Sequence, residues 1–138
     1  MRQAQETFVV ATRGSGFTDI SAKAAGFVAG SGVATGLLTL FCRHTSASLV
    51  IQENADPAVL RDLTAWLGRL APEGAHYEHD DEGADDMPAH LRSVLTQTAL
   101  TIPIVVGRPA LGTWQAIYLI EHRRRPHRLE IVAHAMVE

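Results

Sequence analysis

Several features that would assign a protein class are scarce or missing in this chain of 138 residues. With one cysteine no disulfide can form within the chain, and we expect Cys42, which ends an apolar run, to be a buried thiol. The formal net charge of −3 gives no general attraction for nucleic acid or acidic lipid. No apolar run approaches the roughly 20 residues of a membrane span, and the first residues lack the apolar core of a signal peptide. We therefore expect a cytoplasmic protein without nucleic-acid or membrane partners.

The chain does have the composition of one globular domain. Hydrophobic residues make up 46% of it and charged residues 20%, and the length is sufficient to bury a core. Glycine-rich phosphate loops of the GxGxxG or GxxxxGK type are absent, so the sequence does not predict a nucleotide-binding fold of those kinds.

Apolar patterns predict a mixture of strands and helices. Thr18 or Asp19 can cap a first helix, Asp56 followed by Pro57 starts a second, and a third covers residues 88–96. The run 33–42 is continuously apolar, which is typical of a strand buried on both faces. The other predicted strands are 7–12, 48–52, 99–106, 113–121 and 128–137. Because the last three strands follow one another with short connections, we expect a single α+β domain over residues 1–138, with a largely antiparallel sheet or sandwich and two to three helices.

Potential metal ligands gather in a few short strings. Asp86 and His90 lie four residues apart, on one helix face if the helix begins by Asp86. His44 follows a predicted strand, where it could face a cleft or cap the sheet edge through a backbone hydrogen bond. If the acidic loop 71–83 returns across the domain, its His79 could converge with His44 and His90. Three protein ligands with an open position are how a catalytic zinc is held.

Two further strings could bind an anion. Thr45 and Ser46 could hold a phosphate or carboxylate, although a simple turn is the commoner role for such residues. The basic cluster 122–128 is typical of a solvated hairpin tip, but its arginines could also grip a phosphate.

Four more polar residues are candidates for orienting a substrate. Glu53 and Asn54 stand between a strand and a helix cap, where a solvated or turn role is the simpler interpretation. Thr113 and Gln115 flank Trp114, which could frame a pocket, although an aromatic residue in a strand more often lies in the core.

Five strings, taken in this order, resemble the YjbQ-like family, whose members are also described as secondary thiamine-phosphate synthase enzymes. The resemblance extends from about residue 7 to the C-terminus. The strings are His44-Thr45-Ser46-Ala47-Ser48, Glu53-Asn54-Ala55-Asp56-Pro57, Tyr77-Glu78-His79-Asp80, Gly83-Ala84-Asp85-Asp86-Met87-Pro88-Ala89-His90 and Gly112-Thr113-Trp114-Gln115. One departure is the segment 123–128, which lacks the glycine common in this turn of the family.

The resemblance implies a small α+β protein that assembles as a homotrimer around metal-holding clefts. It places a divalent metal, zinc in the first instance and magnesium as the alternative, on His44, His79 and His90. The catalytic residues implied are His44, Glu53, Asp86 and His90, and those implied for substrate or phosphate binding are Thr45, Ser46, Asn54, Thr113 and Gln115.

Two functions from different classes remain open. Some members of the family weakly join hydroxymethylpyrimidine diphosphate to thiazole phosphate and release pyrophosphate, a departure that needs its charge neutralised by a metal or arginine. The first function is therefore a metal-assisted enzyme, a synthase or a hydrolase, acting on a phosphorylated heterocycle. The second is a non-catalytic trimeric protein that binds a small anionic metabolite.

Overall fold

All paired strands in the computed structural model, which describes residues 1–138, run antiparallel. Three helices accompany eight strands, and this confirms the predicted α+β class. In chain order the elements are β1 (Arg2–Ala11), β2 (Gly16–Asp19), α1 (Ser21–Ser31), β3 (Thr35–Cys42), β4 (Ala47–Glu53), α2 (Pro57–Leu70), α3 (Asp86–Leu95), β5 (Ala99–Val105), β6 (Arg108–Pro109), β7 (Gln115–Glu121) and β8 (Arg128–Val137).

The strands form two sheets that enclose the core between them. One sheet has the order β1-β8-β3-β5-β6 and the other the order β2-β7-β4. The last three predicted strands correspond to β5, β7 and β8, with the two-residue β6 between the first two, and none of the three pairs with another. Strands β5 and β8 lie on either side of β3, and β7 is the central strand of the second sheet. Its residues from 116 to 121 are all buried, so β7 is covered on both faces.

Strand β3 is buried on one face only, so the prediction of burial on both faces is wrong. Leu38, Leu40 and Cys42 point into the core, and the predicted burial of the Cys42 thiol is confirmed. Between them Leu37 and Phe41 are 44% and 45% exposed. The chain supplies no second layer over this outer face of the five-stranded sheet, and an apolar run alone cannot show whether a second layer exists.

The helices begin where their capping residues allow. Asp56 caps α2 as predicted, since its carboxylate accepts a 2.9 Å hydrogen bond from the Ala58 backbone N–H. The N-cap position of α1 is Ile20, one residue after the predicted Asp19, which belongs to β2. Asp19 Oδ1 nevertheless accepts a 2.8 Å hydrogen bond from the Ser21 backbone N–H at the start of the helix. Helix α3 starts at Asp86, two residues before the predicted 88. None of the helices has the length and hydropathy needed to cross a membrane.

Candidate metal centre

The start of α3 and the loop before it bring together two imidazoles and a carboxylate. His79, Asp86 and His90 each offer one ligand atom, and these atoms all lie within 4.8 Å of one another. Asp86 Oδ2 is 2.7 Å from His79 Nε2 and 3.3 Å from His90 Nε2. The second pair exists because α3 includes Asp86, so that residues four apart share one face of the helix.

The orientation of His90 leaves one ring nitrogen free to bind. Its Nδ1 lies 3.2 Å from the backbone carbonyl oxygen of Thr45. Because a carbonyl oxygen only accepts hydrogen bonds, Nδ1 is the ring nitrogen that carries the proton in this contact. With a metal bound, a ring that keeps its proton on Nδ1 would offer Nε2, on the side of Asp86, as the ligand atom. Metal-binding histidines are commonly fixed in this way by a backbone carbonyl.

Asp86 is buried, and Arg123 holds it in place. The Arg123 guanidinium donates a 2.8 Å hydrogen bond through Nη1 to Asp86 Oδ1, and another through Nη2 to the carbonyl oxygen of Glu82. Burial on its own raises the pKa of Asp86, but the hydrogen bond from His79 and the charges of His90 and Arg123 outweigh burial, so the pKa is lowered. The group is therefore a carboxylate at neutral pH, as a metal ligand must be.

The neighbouring Asp85 is held from the same turn. Its Oδ2 accepts a 2.9 Å hydrogen bond from the Arg124 backbone N–H and lies 3.2 Å from Arg123 Nε. Burial raises the pKa of Asp85, but these contacts outweigh it and the pKa is lowered. Both carboxylates at the start of α3 are thus attached to the β7–β8 turn.

An acidic loop surrounds His79. The hydrogen bond to Asp86 is the main cause that raises the pKa of His79, and nearby Glu82 and Asp81 add to the effect. Carboxylate oxygens of Asp81 and Glu82 each lie 3.8 Å from a His79 ring nitrogen. The surroundings of the centre are therefore negative and attract cations rather than free anions.

Two imidazoles and one carboxylate suit a transition metal. This donor set matches zinc sites that have two histidines, one carboxylate and an open position, and it matches ferrous sites of the same composition. Magnesium prefers an all-oxygen environment, so the two imidazoles disfavour it.

The structure does not bring His44 into this group. Its Nε2 accepts a 2.8 Å hydrogen bond from the Glu130 backbone N–H, which is the sheet-edge alternative of the sequence analysis. The third ligand of the group is Asp86, which was predicted to lie beside the metal, in place of His44. The neighbouring Thr45 contributes its carbonyl to His90, and the Ser46 carbonyl accepts a hydrogen bond from the His122 backbone N–H. Hydroxyl contacts of Thr45 and Ser46 with a phosphate remain a prediction.

The remaining predicted residues lie at the other end of β4 and β7. In this pair Ala47 is opposite Glu121 near the metal centre, and Glu53 is opposite Gln115 at the far end. Six residue steps along a strand are about 20 Å. One chain therefore has two separate polar groups, one at each end of this pair of strands.

The far group is held by local hydrogen bonds. The Asn54 backbone N–H donates to the Trp114 carbonyl oxygen, and Gln115 Oε1 accepts a hydrogen bond from the Gly112 backbone N–H at 2.7 Å. Thr113 is exposed beside them. Trp114 is 63% exposed, which rules out the core, the commoner of the two roles considered for it.

Sequence reasoning missed the structural role of the basic cluster 122–128. Arg123 holds Asp86, His127 Nδ1 lies 2.5 Å from the buried carboxylate of Glu121, and His122 is itself buried. A solvated hairpin tip describes the exposed residues from 124 to 128, but not the buried His122 or the half-buried Arg123. The available signal was charge complementarity, since the one basic run of the chain can pair with its one acidic run, 78–86.

Comparisons with known proteins give consistent similarities. The sequence model of a family described as UPF0047 protein YjbQ-like matches residues 5–137. UPF0047 protein sll1880 of Synechocystis is 55% identical over 138 residues, which are 99% of this chain and 94% of the relative. A YjbQ/UPF0047 family crystal structure from Clostridium acetobutylicum has a TM-score of 0.88 at 33% identity and covers 95% of this chain and 99% of that one. The conserved hypothetical protein TT1486 of Thermus thermophilus has a TM-score of 0.84 at 35% identity, with the same coverage.

Proposed function

This chain belongs to the YjbQ-like UPF0047 family, and we propose that it is a metal-assisted enzyme acting on a phosphorylated heterocycle. The observation that carries the proposal is the convergence of His79, Asp86 and His90, whose ligand atoms lie within 4.8 Å of one another. The metal proposed is zinc, for which two imidazoles and a carboxylate are ordinary ligands.

The residues around the centre support a site prepared for binding. The Thr45 carbonyl orients His90, and Arg123 orients Asp86. Such outer contacts fix the ligand geometry in advance. The pocket beside His79 is open, with a volume of about 560 Å³, and is bordered by Tyr77 and Met87 as well as by acidic residues. A heterocycle can contact the tyrosine and methionine side chains while its phosphate faces the metal.

The electrostatics favour a phosphate that is bound through the metal. Glu78, Asp80 and Asp81 border the pocket and repel a free anion. A bound zinc supplies the positive charge that a phosphate group or a departing pyrophosphate needs. The backbone carbonyl of Thr45 contacts His90, so the hydroxyls of Thr45 and the adjacent Ser46 are neutral donors close to the metal centre in sequence. We assign these two hydroxyls to binding the phosphate. A weak thiamine-phosphate synthase reaction is the specific activity that we propose, with hydrolysis of a phosphate ester as the alternative reaction.

The outer face of the five-stranded sheet supports a homotrimer. It carries exposed apolar side chains on four strands: Val9, Leu37, Phe41, Val105 and Met136. Exposed apolar groups spread over one sheet face are typical of an interface between copies. A Phe41→Glu variant should lower the mass measured by light scattering to that of one chain, whereas Arg125→Glu, on the exposed turn, should leave it unchanged. A single-chain mass for the unmodified protein would contradict the trimer.

A trimer without catalysis is the second candidate function. In that case the metal centre would hold a small anionic metabolite and release it unchanged. The buried, unpaired Cys42 thiol is compatible with the reducing cytoplasm in which we place either function.

One set of experiments distinguishes these possibilities. The purified protein is analysed for bound zinc, iron and magnesium, and assayed with phosphorylated pyrimidines and thiazoles. His79→Ala and His90→Ala should lose the metal and any turnover, whereas His76→Ala, on the same exposed loop, should keep both. If neither variant loses metal or activity, the metal centre is refuted. If both lose metal and no substrate turns over in the unmodified protein, the binding function is favoured.

A further inference from the structure

A small second cavity is lined by residues of β2, α2, α3 and β7 and of the loops next to the two strands. Its volume is about 90 Å³, and it shares no lining residue with His79, Asp86 and His90. The lining residues that matter for its chemistry are Ser15, Thr64, Arg92, Glu121 and His122. Because each water occupies about 30 Å³ of liquid, the cavity has room for about three waters or one anion of four or five heavy atoms.

Arg92 brings an uncompensated positive charge to this cavity. Its Nη2 donates a 2.9 Å hydrogen bond to the Ala71 carbonyl oxygen, but its buried Nε has no hydrogen-bond partner in the protein. No carboxylate lies within ion-pair distance of the guanidinium. A buried donor without an acceptor is costly, so such groups usually face a ligand or water.

His122 is the second polar group in the wall, and it is only 4% exposed. Its Nε2 lies 2.8 Å from Ser48 Oγ, which in turn accepts a hydrogen bond from the Thr96 hydroxyl. With Ser48 donating to Nε2, the neutral ring carries its proton on Nδ1 and keeps one N–H donor. The wall therefore combines a guanidinium, an imidazole N–H and the hydroxyl of Ser15. The Thr64 hydroxyl already donates a 2.8 Å hydrogen bond to the Leu60 carbonyl oxygen.

The one acidic residue of the wall already has hydrogen-bond partners. Glu121 Oε1 contacts the Thr12 hydroxyl and His127 Nδ1, and Oε2 accepts a hydrogen bond from the Arg123 backbone N–H. These contacts occupy both carboxylate oxygens and reduce their repulsion of a second anion.

We propose that the Arg92–His122 cavity binds a small oxyanion of the size of inorganic phosphate. A guanidinium edge and neutral N–H and O–H donors are the groups that bind phosphate oxygens. The cavity shares no lining residue with the pocket beside His79, so this site is distinct from the proposed substrate pocket. It does not depend on the metal.

Calorimetric titration with inorganic phosphate, on protein freed of metal by a chelator, tests this site. We expect saturable binding of one phosphate per chain. Arg92→Met should weaken it about tenfold or more, because hydrogen bonds to a charged partner are lost. Arg69→Met removes the same charge from the exposed last turn of α2 and should change the affinity less than about twofold.

A second variant protects the test against misfolding. His122→Phe fills the cavity but leaves Arg92 intact, and it should also weaken phosphate binding about tenfold or more. His79→Ala should bind phosphate normally, which separates this site from the metal centre. No saturable binding up to about 10 mM phosphate would overturn the proposal. Equal affinities of the Arg92→Met, His122→Phe and Arg69→Met proteins would overturn it as well.

Discussion

Replacing Asp86 with asparagine tests the metal centre most directly, because it removes the shared charge and keeps the side-chain shape. Without metal, the carboxylate receives charge-assisted hydrogen bonds from Arg123 at 2.8 Å and His79 at 2.7 Å. Such bonds contribute about 1.5–3 kcal/mol each when fully buried. The His79 side chain is 44% exposed, so we count only the Arg123 bond, whose guanidinium is 22% exposed, at about 2 kcal/mol.

The expected loss of stability is measurable. For a chain of this length each kcal/mol corresponds to about 3–5 °C in the melting temperature, so Asp86→Asn should melt about 6–10 °C lower. Zinc affinity should fall further. Four-ligand zinc sites bind with about 10–16 kcal/mol, or about 2.5–4 kcal/mol for each ligand, which corresponds to a loss of roughly 10²–10³-fold.

Asp81→Asn is the matched control. It removes the same charge from the loop that precedes α3, its side chain is 83% exposed, and its carboxylate is 3.8 Å from His79 Nδ1. Thermal unfolding followed by circular dichroism should give this variant the melting temperature of the parent. Zinc competition against a chromophoric chelator should give an affinity within about threefold of the parent's. If Asp86→Asn binds zinc as the control does, Asp86 is not a ligand and the proposed centre is refuted.

Three further predictions concern stability. Burial and the charge of Arg92 lower the pKa of His122 from 6.5 to about 4, so the unfolded chain takes up this proton first as the pH falls. The unfolding free energy of the parent should therefore drop by about 2 kcal/mol more than that of His122→Phe between pH 6.5 and about pH 5, measured in urea without phosphate; parallel curves would contradict this. Gly36→Ala should cost about 3 kcal/mol, because its Cβ would lie 2.2 Å from the Met136 carbonyl oxygen, and an unchanged denaturation midpoint would refute that clash. Gly68→Ala, in α2 with no atom within 4 Å of the added Cβ, should instead gain about 0.5–1 kcal/mol in the same assay, and a loss would show an unrecognised contact.

Features set by neighbouring residues could be predicted from the sequence. The Asp56 cap of α2 and the shared helix face of Asp86 and His90 both depend on spacings of four residues or fewer. The antiparallel α+β class followed from the apolar patterns and short connections.

Features set by distant residues could not be predicted in this way. His44 Nε2 accepts a hydrogen bond from the Glu130 backbone N–H because β8 lies beside β3. No local sequence pattern encodes the register of that strand pair. Arg123 reaches Asp86 across 37 positions of sequence. The sequence of β3 is as apolar as that of a strand covered on both faces by its own chain. A neighbouring chain and a second layer of the same chain favour the same apolar residues, so the sequence could not show that the outer face of β3 is bare.

The separation of about 20 Å between the ends of β4 and β7 limits what a single molecule of substrate can touch. A heterocycle with one phosphate is shorter than that distance and, within one chain, reaches either His90 or Gln115 but not both. Defects caused by substitutions at these two residues should therefore multiply as independent effects, because sites that share no partner are energetically additive. A departure from independence would mean that a neighbouring subunit brings the far end of its own strands to the metal.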